Sequence, residues 1–275
     1  MPVVNKQNKR INNALWLGFT LIVFVCLIKL SFWQYGRGFD KEQRISRIEQ
    51  LNQQSALTLD EIVSLSQEKQ FLGKENINDF PVTVNGQFMS EYVFLLDNQV
   101  EKRSLGYRVL QIVVTPTHSV LVNLGWVEGS IDRNVLPDIS PVAGQHVFQG
   151  HVRIVEQGMT LKAQDFNQVS WPLRVQKIDL DKFSSLISQP LLPFVVYVDK
   201  NETIGFTKNW HPIVMPPEKH FGYSFQWAAL AIAWLVLMIS LKRKSQTQAK
   251  NTVLITNNKT QKTTTNNKNK AIKYG

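Results

Sequence analysis

The residue best placed for metal or cofactor chemistry is His220. It stands beside Phe221, Tyr223 and Trp227, at the start of an uncharged apolar stretch that runs to Leu241. A neutral imidazole is a common axial ligand of haem iron, and flat aromatic side chains can pack against the macrocycle. A histidine at the end of an apolar stretch can instead have no ligand role and simply anchor a membrane helix at the membrane–water interface. Position alone leaves both interpretations open.

A second candidate is a cationic stripe that follows the first apolar stretch. Trp33, Arg37 and Lys41 recur at i, i+4 and i+8, so they share one face if the chain is helical there. Such a stripe suits acidic groups, for example haem propionates, which it would hold through charge-assisted hydrogen bonds. An interfacial tryptophan with basic residues that face lipid phosphates has the same spacing. Both interpretations of the stripe stay open.

The rest of the sequence offers little chemistry. It holds no G-x-S-x-G elbow, no phosphate-binding loop and no H-E-x-x-H motif, and no acidic pair stands out as general acid and base. His118 lies in a predicted turn, where we expect it to be solvated. His146 and His151 are five residues apart on a predicted strand, so they point to opposite faces and do not share a metal. Cys26 is the only cysteine, which leaves no C-x-x-C-H haem attachment in this sequence. These observations do not favour an enzyme.

Two apolar stretches must position these residues. Residues 14–32 contain one charge, Lys29, and residues 220–241 contain none. About 20 apolar residues form a helix that can cross a bilayer, because the helix satisfies every backbone group internally. No small-residue cleavage site follows the first stretch, which favours an uncleaved anchor over a signal peptide.

The distribution of charge predicts the topology. The net charge is +10, yet residues 33–219 hold all 21 acidic residues and 18 of the 31 basic ones. Residues 1–13 and 242–275 are basic and carry no acid, and basic flanks of membrane spans remain in the cytoplasm. We therefore expect a two-pass protein of the bacterial inner membrane, embedded in the lipid bilayer, with cytoplasmic termini and a periplasmic domain at residues 33–219. Basic character confined to the ends does not favour nucleic-acid binding.

The segment between the spans is predicted to be one β-rich domain. Apolar residues alternate in several short runs: Pro81–Phe88, Tyr92–Leu96, Arg108–Val114, Ser119–Val127, Val147–Val155, Leu173–Ile178 and Pro193–Val198. Short helices are expected from Thr58 to Leu65 and at Leu180–Ile187. The predicted fold class is α+β, with two transmembrane helices flanking one exported antiparallel, barrel-like domain. Residues 242–275, rich in Asn, Thr, Lys and Gln, are expected to form a disordered basic tail.

Three sequence fragments occur in order from the first span to the second. They are W-Q-x-x-R-x-x-x-K at Trp33, Gln34, Arg37 and Lys41; G-Y-x-V and V-N-x-G-W at Gly106, Tyr107, Asn123, Gly125 and Trp126, with Arg133 after them; and H-x-x-Y-x-x-x-W at His220, Tyr223 and Trp227. Together they resemble the Surfeit locus protein 1 family of cytochrome oxidase assembly factors, from about Leu30 to Leu241. Two positions depart from the family: Leu124 replaces its usual Arg, and Lys219 its usual Asn.

The resemblance implies a function and a cofactor. It implies an assembly factor for a haem-copper terminal oxidase (cytochrome c oxidase) that binds haem a transiently and delivers it to the catalytic subunit. It further implies that His220 ligates the haem iron and that the haem a synthesis machinery is a partner. Tyr223, Trp227, Trp33 and Arg37 would surround the cofactor.

Two other classes of function remain open. One is a cofactor-free scaffold that stabilises an oxidase subunit, for which the alanines between Ala228 and Ala233 offer a packing surface. The other is an exported sensor or regulator domain. The residues after Leu241 are few and polar for a signalling output module, which disfavours the sensor.

Overall fold

The computed structural model describes residues 6–67, 77–155, 166 and 169–271, and only the backbone of residues 6–11 and 249–271. The described chain divides into two units. The first contains the helices before Arg44 and after Val214, and the second contains residues 44–214 with the whole sheet. The outer ends of the two predicted cytoplasmic segments, residues 1–5 and 272–275, lie outside the described residues.

Two long helices form the first unit. Helix α1 runs over Lys6–Asn52, so its last two turns belong to the second unit, and helix α4 runs over Pro217–Ala271. Both are long and apolar enough to cross a membrane by length and composition. Helix α1 does not break at Gly36 or Gly38, so the chain is helical where Trp33, Arg37 and Lys41 recur. No Gly or Pro interrupts residues 242–271, and α4 continues to Ala271. The prediction of a disordered basic tail stays a prediction.

Seven strands and two short helices form the second unit. The strands are β1 (Leu57–Thr58), β2 (Pro81–Glu101), β3 (Ser104–Val114), β4 (Ser119–Glu128), β5 (Gly144–Ile154), β6 (Leu173–Val175) and β7 (Leu191–Val198). The helices are α2 (Leu59–Gln67) and α3 (Leu180–Ile187). An α+β fold is therefore confirmed. The two predicted strands at Pro81–Phe88 and Tyr92–Leu96 are one strand, because β2 continues through an irregularity between Met89 and Val93.

The strand pairing forms a circuit. The order is β1-β2-β3-β4-β7-β5, and β5 also pairs with β2, so the path β2-β3-β4-β7-β5 returns to its first strand. The prediction of a purely antiparallel sheet is wrong, because β4 and β7 are parallel, as are β1 with β2 and β6 with β2. The connection from β4 to β7 contains β5, β6 and helix α3, which makes it long enough for a parallel strand pair. The barrel-like description stays a prediction.

Apolar side chains of the strands pack against both short helices. Ile62 of α2 is fully buried in a cluster with Val82 and Phe148 of the sheet. Phe183 of α3 stacks on Phe94 of β2 with ring centroids 4.1 Å apart. Asp179 caps α3 by accepting a hydrogen bond from the Lys182 amide at 3.2 Å, which satisfies one of the free amides of the first turn. The predicted bounds of α3, Leu180–Ile187, are confirmed.

Candidate functional site

Helices α1 and α4 contact each other through small and polar residues. The hydroxyls of Ser31 and Ser224 each donate to the other residue's backbone carbonyl at 2.9 Å. Two turns further along α1, Gly38 is buried against the ring of Phe221, and a Cβ atom at Gly38 would lie 2.6 Å from that ring. Close approach of two helices depends on small residues at the contact, especially where lipid offers no hydrophobic driving force.

His220 lies at this contact and pairs with Gln34. Its Nδ1 atom is 2.8 Å from the side-chain oxygen of Gln34, and the imidazole is half-buried. Because that oxygen is an acceptor, the contact places the imidazole proton on Nδ1. No described residue forms a hydrogen bond with Nε2, whose lone pair is then free to ligate a metal. The geometry therefore fits an axial ligand with an oriented ring.

The other predicted cofactor residues are placed less closely. Trp33 is 55% exposed, and the Arg37 guanidinium lies 6.0 Å from its ring centroid. This cation–π pair confirms that the two residues share a face of α1. Tyr223 is exposed and Trp227 is half-buried, and neither makes a ring contact or a hydrogen bond with the described residues. Lys41, also half-buried, makes no described ion pair. Within the described part of the chain, Gln34 is the one predicted residue that forms a hydrogen bond with His220.

The central motif residues lie in the sheet unit, where most of them are structural. A Cβ atom at Gly106 would lie 2.7 Å from the indole of Trp126, so only glycine fits beneath that ring. Tyr107 is buried, and the Trp126 indole donates to the Gln99 carbonyl at 3.0 Å. Arg133 donates to both carboxylate oxygens of Asp97 at 2.8 Å. These contacts tie β2, β3 and β4 together.

Asn123 and Gly125 form a β-bulge on β4. Asn123 pairs with Leu110 and Gly125 with Val109, so Leu124 is the extra residue of the bulge. The Asn123 side-chain oxygen accepts from the Gly125 amide at 2.9 Å, and Gly125 has a φ of +119° that only glycine adopts without strain. Leu124, the position where the family usually has Arg, is fully buried in the core. This position presents no charge at the surface.

A polar cluster that the sequence patterns do not reveal lies in the same unit. His151 Nδ1 is 2.5 Å from a carboxylate oxygen of Asp199, and its Nε2 is 3.0 Å from the side-chain oxygen of Asn52. The buried Asp79 accepts from Arg44 through two hydrogen bonds and from Arg153 through a third. The partners are far apart in sequence and follow no recognisable motif spacing, so no local signal could have found them.

These features define a class of protein: an α+β chain with two candidate membrane helices and one mixed-sheet domain between them. A family model described as SURF1 family matches residues 21–232, more than half of the chain. The chain belongs to the SURF1 family, which confirms the resemblance drawn from the three fragments. The family is known as cytochrome oxidase assembly factors rather than enzymes. A comparison with curated proteins finds no match to this chain.

Proposed function

We propose that this protein is a two-pass membrane factor that assembles a haem-copper oxidase and holds haem a on His220 before delivery to the catalytic subunit. The observation that carries the proposal is the Gln34–His220 pair, which leaves Nε2 of the imidazole free. Metal-ligating histidines commonly donate their other ring N–H to an oxygen, and this partner fixes the ring orientation and raises ligand basicity. Haem a would supply the redox-active iron that the oxidase needs.

The surface of the first unit supports insertion in a membrane. Large apolar side chains on α1 and α4 are more than half exposed; among them are Leu15, Leu17, Leu21, Ile22, Ile232 and Val236. Soluble proteins rarely expose contiguous apolar patches of this kind, whereas lipid covers them without cost. With basic residues beyond both spans, we infer cytoplasmic termini, a periplasmic sheet domain and a bacterial inner membrane. The haem a synthesis machinery would be the donor partner.

A loosely packed ligand site suits transient binding. Trp33, Arg37 and Tyr223 are exposed, so they are available to contact a haem or an oxidase subunit that docks there. A single histidine on a helix contact would hold haem weakly enough to release it. The cofactor-free scaffold is the alternative, and it uses the same exposed helix faces without iron.

The test is an absorption spectrum of the full chain, purified in detergent from cells that synthesise haem a. We expect a Soret band and a reduced α-band that His220→Ala removes. His211→Ala is the matched control, because His211 is an exposed histidine of the sheet unit. Gln34→Met should weaken haem binding by about 10- to 100-fold, the usual effect of losing a second-shell partner, and Gln34→Glu should preserve it.

Each outcome is decisive. Equal haem content in the wild type and in His220→Ala would exclude His220 as the ligand. A wild-type protein free of haem, from cells whose oxidase still depends on it, would favour the scaffold. Equal weakening by Gln34→Met and Gln34→Glu would show that the acceptor oxygen of Gln34 has no role.

A further inference from the structure

The sheet unit contains a cavity of about 620 Å³ that the haem proposal does not use. This volume lies within the range of about 300–1,000 Å³ of small-molecule sites. Its walls come from three neighbouring strands of the circuit, β4, β7 and β5, from the end of α1 and from residues 208–212. It is a feature of the second unit alone.

Backbone hydrogen bonds hold one wall in place. The Phe206 amide donates to the Leu124 carbonyl at 2.8 Å, and Trp126 and Thr207 exchange two hydrogen bonds across β4. Lys208 and Trp210 follow directly and line the cavity. The segment that carries them is therefore fixed to the bulge of β4.

The acidic groups around the cavity are already engaged. Asp79, which is 2% exposed, is bonded to two arginines, and Asp199 contacts His151. Glu202, next to the cavity wall, accepts a hydrogen bond from the Gln149 amide at 2.6 Å. A ligand that needed a free carboxylate on these walls would not find one.

Several donor groups on the walls are free to bind a ligand. Asn123 is 3% exposed, and its side-chain oxygen is taken by Gly125, while no described residue contacts its NH₂ group. Lys208 donates to the Ile204 and Phe206 carbonyls, which leaves one of its three N–H groups. Neither Lys200 nor Lys208 forms a described ion pair. Burial lowers the pKa of the Lys208 ammonium, and the negative charge of Glu202 partly offsets this decrease.

Flat apolar surface lies beside these donors. The rings of Tyr197 and Trp210 have centroids 5.2 Å apart, and the Arg153 guanidinium lies 5.3 Å from the Trp210 centroid. Aromatic side chains in a cavity pack well against planar ligands. We propose that this cavity is a binding site for a small molecule with a carboxylate and a flat apolar body, the carboxylate meeting Asn123 and Lys208 and the body meeting Trp210.

The test uses 1-naphthoate as the probe and the neutral 1-naphthamide as its matched comparison, titrated into the full chain in lipid nanodiscs by ligand-observed NMR. Naphthoate should bind at least about tenfold more tightly than naphthamide, since only the carboxylate forms charge-assisted hydrogen bonds. Lys208→Met should weaken naphthoate by a similar factor and leave naphthamide unchanged. Lys177→Met, at an exposed lysine outside the cavity, is the control. Trp210→Leu should weaken both probes.

Asn123→Asp is a second, independent variant. The aspartate keeps an oxygen for the Gly125 amide and replaces the free NH₂ group by a charged oxygen, so it should repel naphthoate. The result for Asn123→Asp is used only if its melting temperature equals that of the wild type. If it is lower, the Lys208→Met variant alone tests the proposal. Equal binding of the two probes, naphthoate binding that survives Lys208→Met, or no naphthoate binding at millimolar concentration would overturn the proposal. The haem spectrum should be unchanged in every variant, so failure here is distinct from failure of the haem proposal.

Discussion

Replacing Asp79 by Asn tests the main electrostatic contact of the sheet unit. Asp79 has a φ of +70°, a conformation that Asn tolerates as well as Asp does, so the backbone should not change. The carboxylate accepts from Arg44 at 2.8 and 2.9 Å and from Arg153 at 3.1 Å. An asparagine would direct an NH₂ group at guanidinium donors and leave two positive charges without their counter-ion.

The expected cost follows from the burial of the three groups. Removing one partner of a buried ion pair costs about 3–5 kcal/mol. The arginine side chains are 24% and 19% exposed, so water can solvate them in part, and we take the lower end, about 3 kcal/mol. For a domain of this size, that loss lowers the melting temperature by about 6–12 °C.

Asp97→Asn provides the comparison. Asp97 is nearly as buried as Asp79, but its one described ion-pair partner, Arg133, is 49% exposed. Loss of such a pair should cost about 1 kcal/mol, or about 2–4 °C. Thermal unfolding of the full chain in detergent, followed by near-ultraviolet circular dichroism, measures both variants, with the exposed Asp138→Asn as control. If Asp79→Asn and Asp97→Asn lower the melting temperature equally, the buried double pair is not the larger contributor.

Four further predictions rest on separate contacts. Gly38→Ala should lower the melting temperature and reduce haem content, because its Cβ would meet Phe221 at 2.6 Å, whereas Gly36→Ala, with open space around it, should have no such effect. Gly125→Ala should destabilise the sheet unit by about 2 kcal/mol, since it combines a φ of +119° with a Cβ 2.7 Å from the Thr207 carbonyl; Gly144→Ala, with a φ of +88° and open space, should show the smaller cost of strain alone. The Thr58 amide and hydroxyl donate to Glu61 and lower the pKa of its carboxyl, so this stabilisation of α2 is present above the unfolded pKa and lost as the pH falls through the lowered folded value; hydrogen exchange in α2 should show this loss in the wild type and not in Glu61→Gln. Deleting residues 246–275 should leave oxidase assembly intact, and loss of active oxidase at normal levels of the truncated protein would contradict this.

The elements that local patterns specify were predicted well. The hairpin of β3 and β4 follows from alternation and turn residues, and the predicted bounds of α3 agree with the structure. The two apolar stretches were likewise visible as whole elements. In each case the sequence signal and the structure it specifies occupy the same short segment.

The pairings that join distant segments were not predictable. The parallel pair of β4 with β7 and the pair of β2 with β5 depend on which strands meet, and alternation is identical for parallel and antiparallel partners. The contact of Gln34 with His220 spans 186 positions, and that of Asn52 with His151 spans 99. The motif fragments named Gln34 and His220, but only the packing of α1 on α4 shows that the two side chains form a hydrogen bond.

The central family motif, which includes Asn123 and Gly125, is related to the cavity through its backbone conformation and not through charged side chains. The glycine at position 125 lets the Thr207 carbonyl approach β4, and that contact fixes the segment that brings Lys208 and Trp210 to the cavity. Asn123 stabilises the same bulge with its oxygen and is itself a lining residue of the cavity. The bulge therefore needs an asparagine and a glycine, but no charge, which is compatible with a buried leucine at position 124. By this reasoning, Gly125→Ala should weaken naphthoate binding and leave the haem spectrum intact. His220→Ala should remove the haem bands and leave naphthoate binding unchanged.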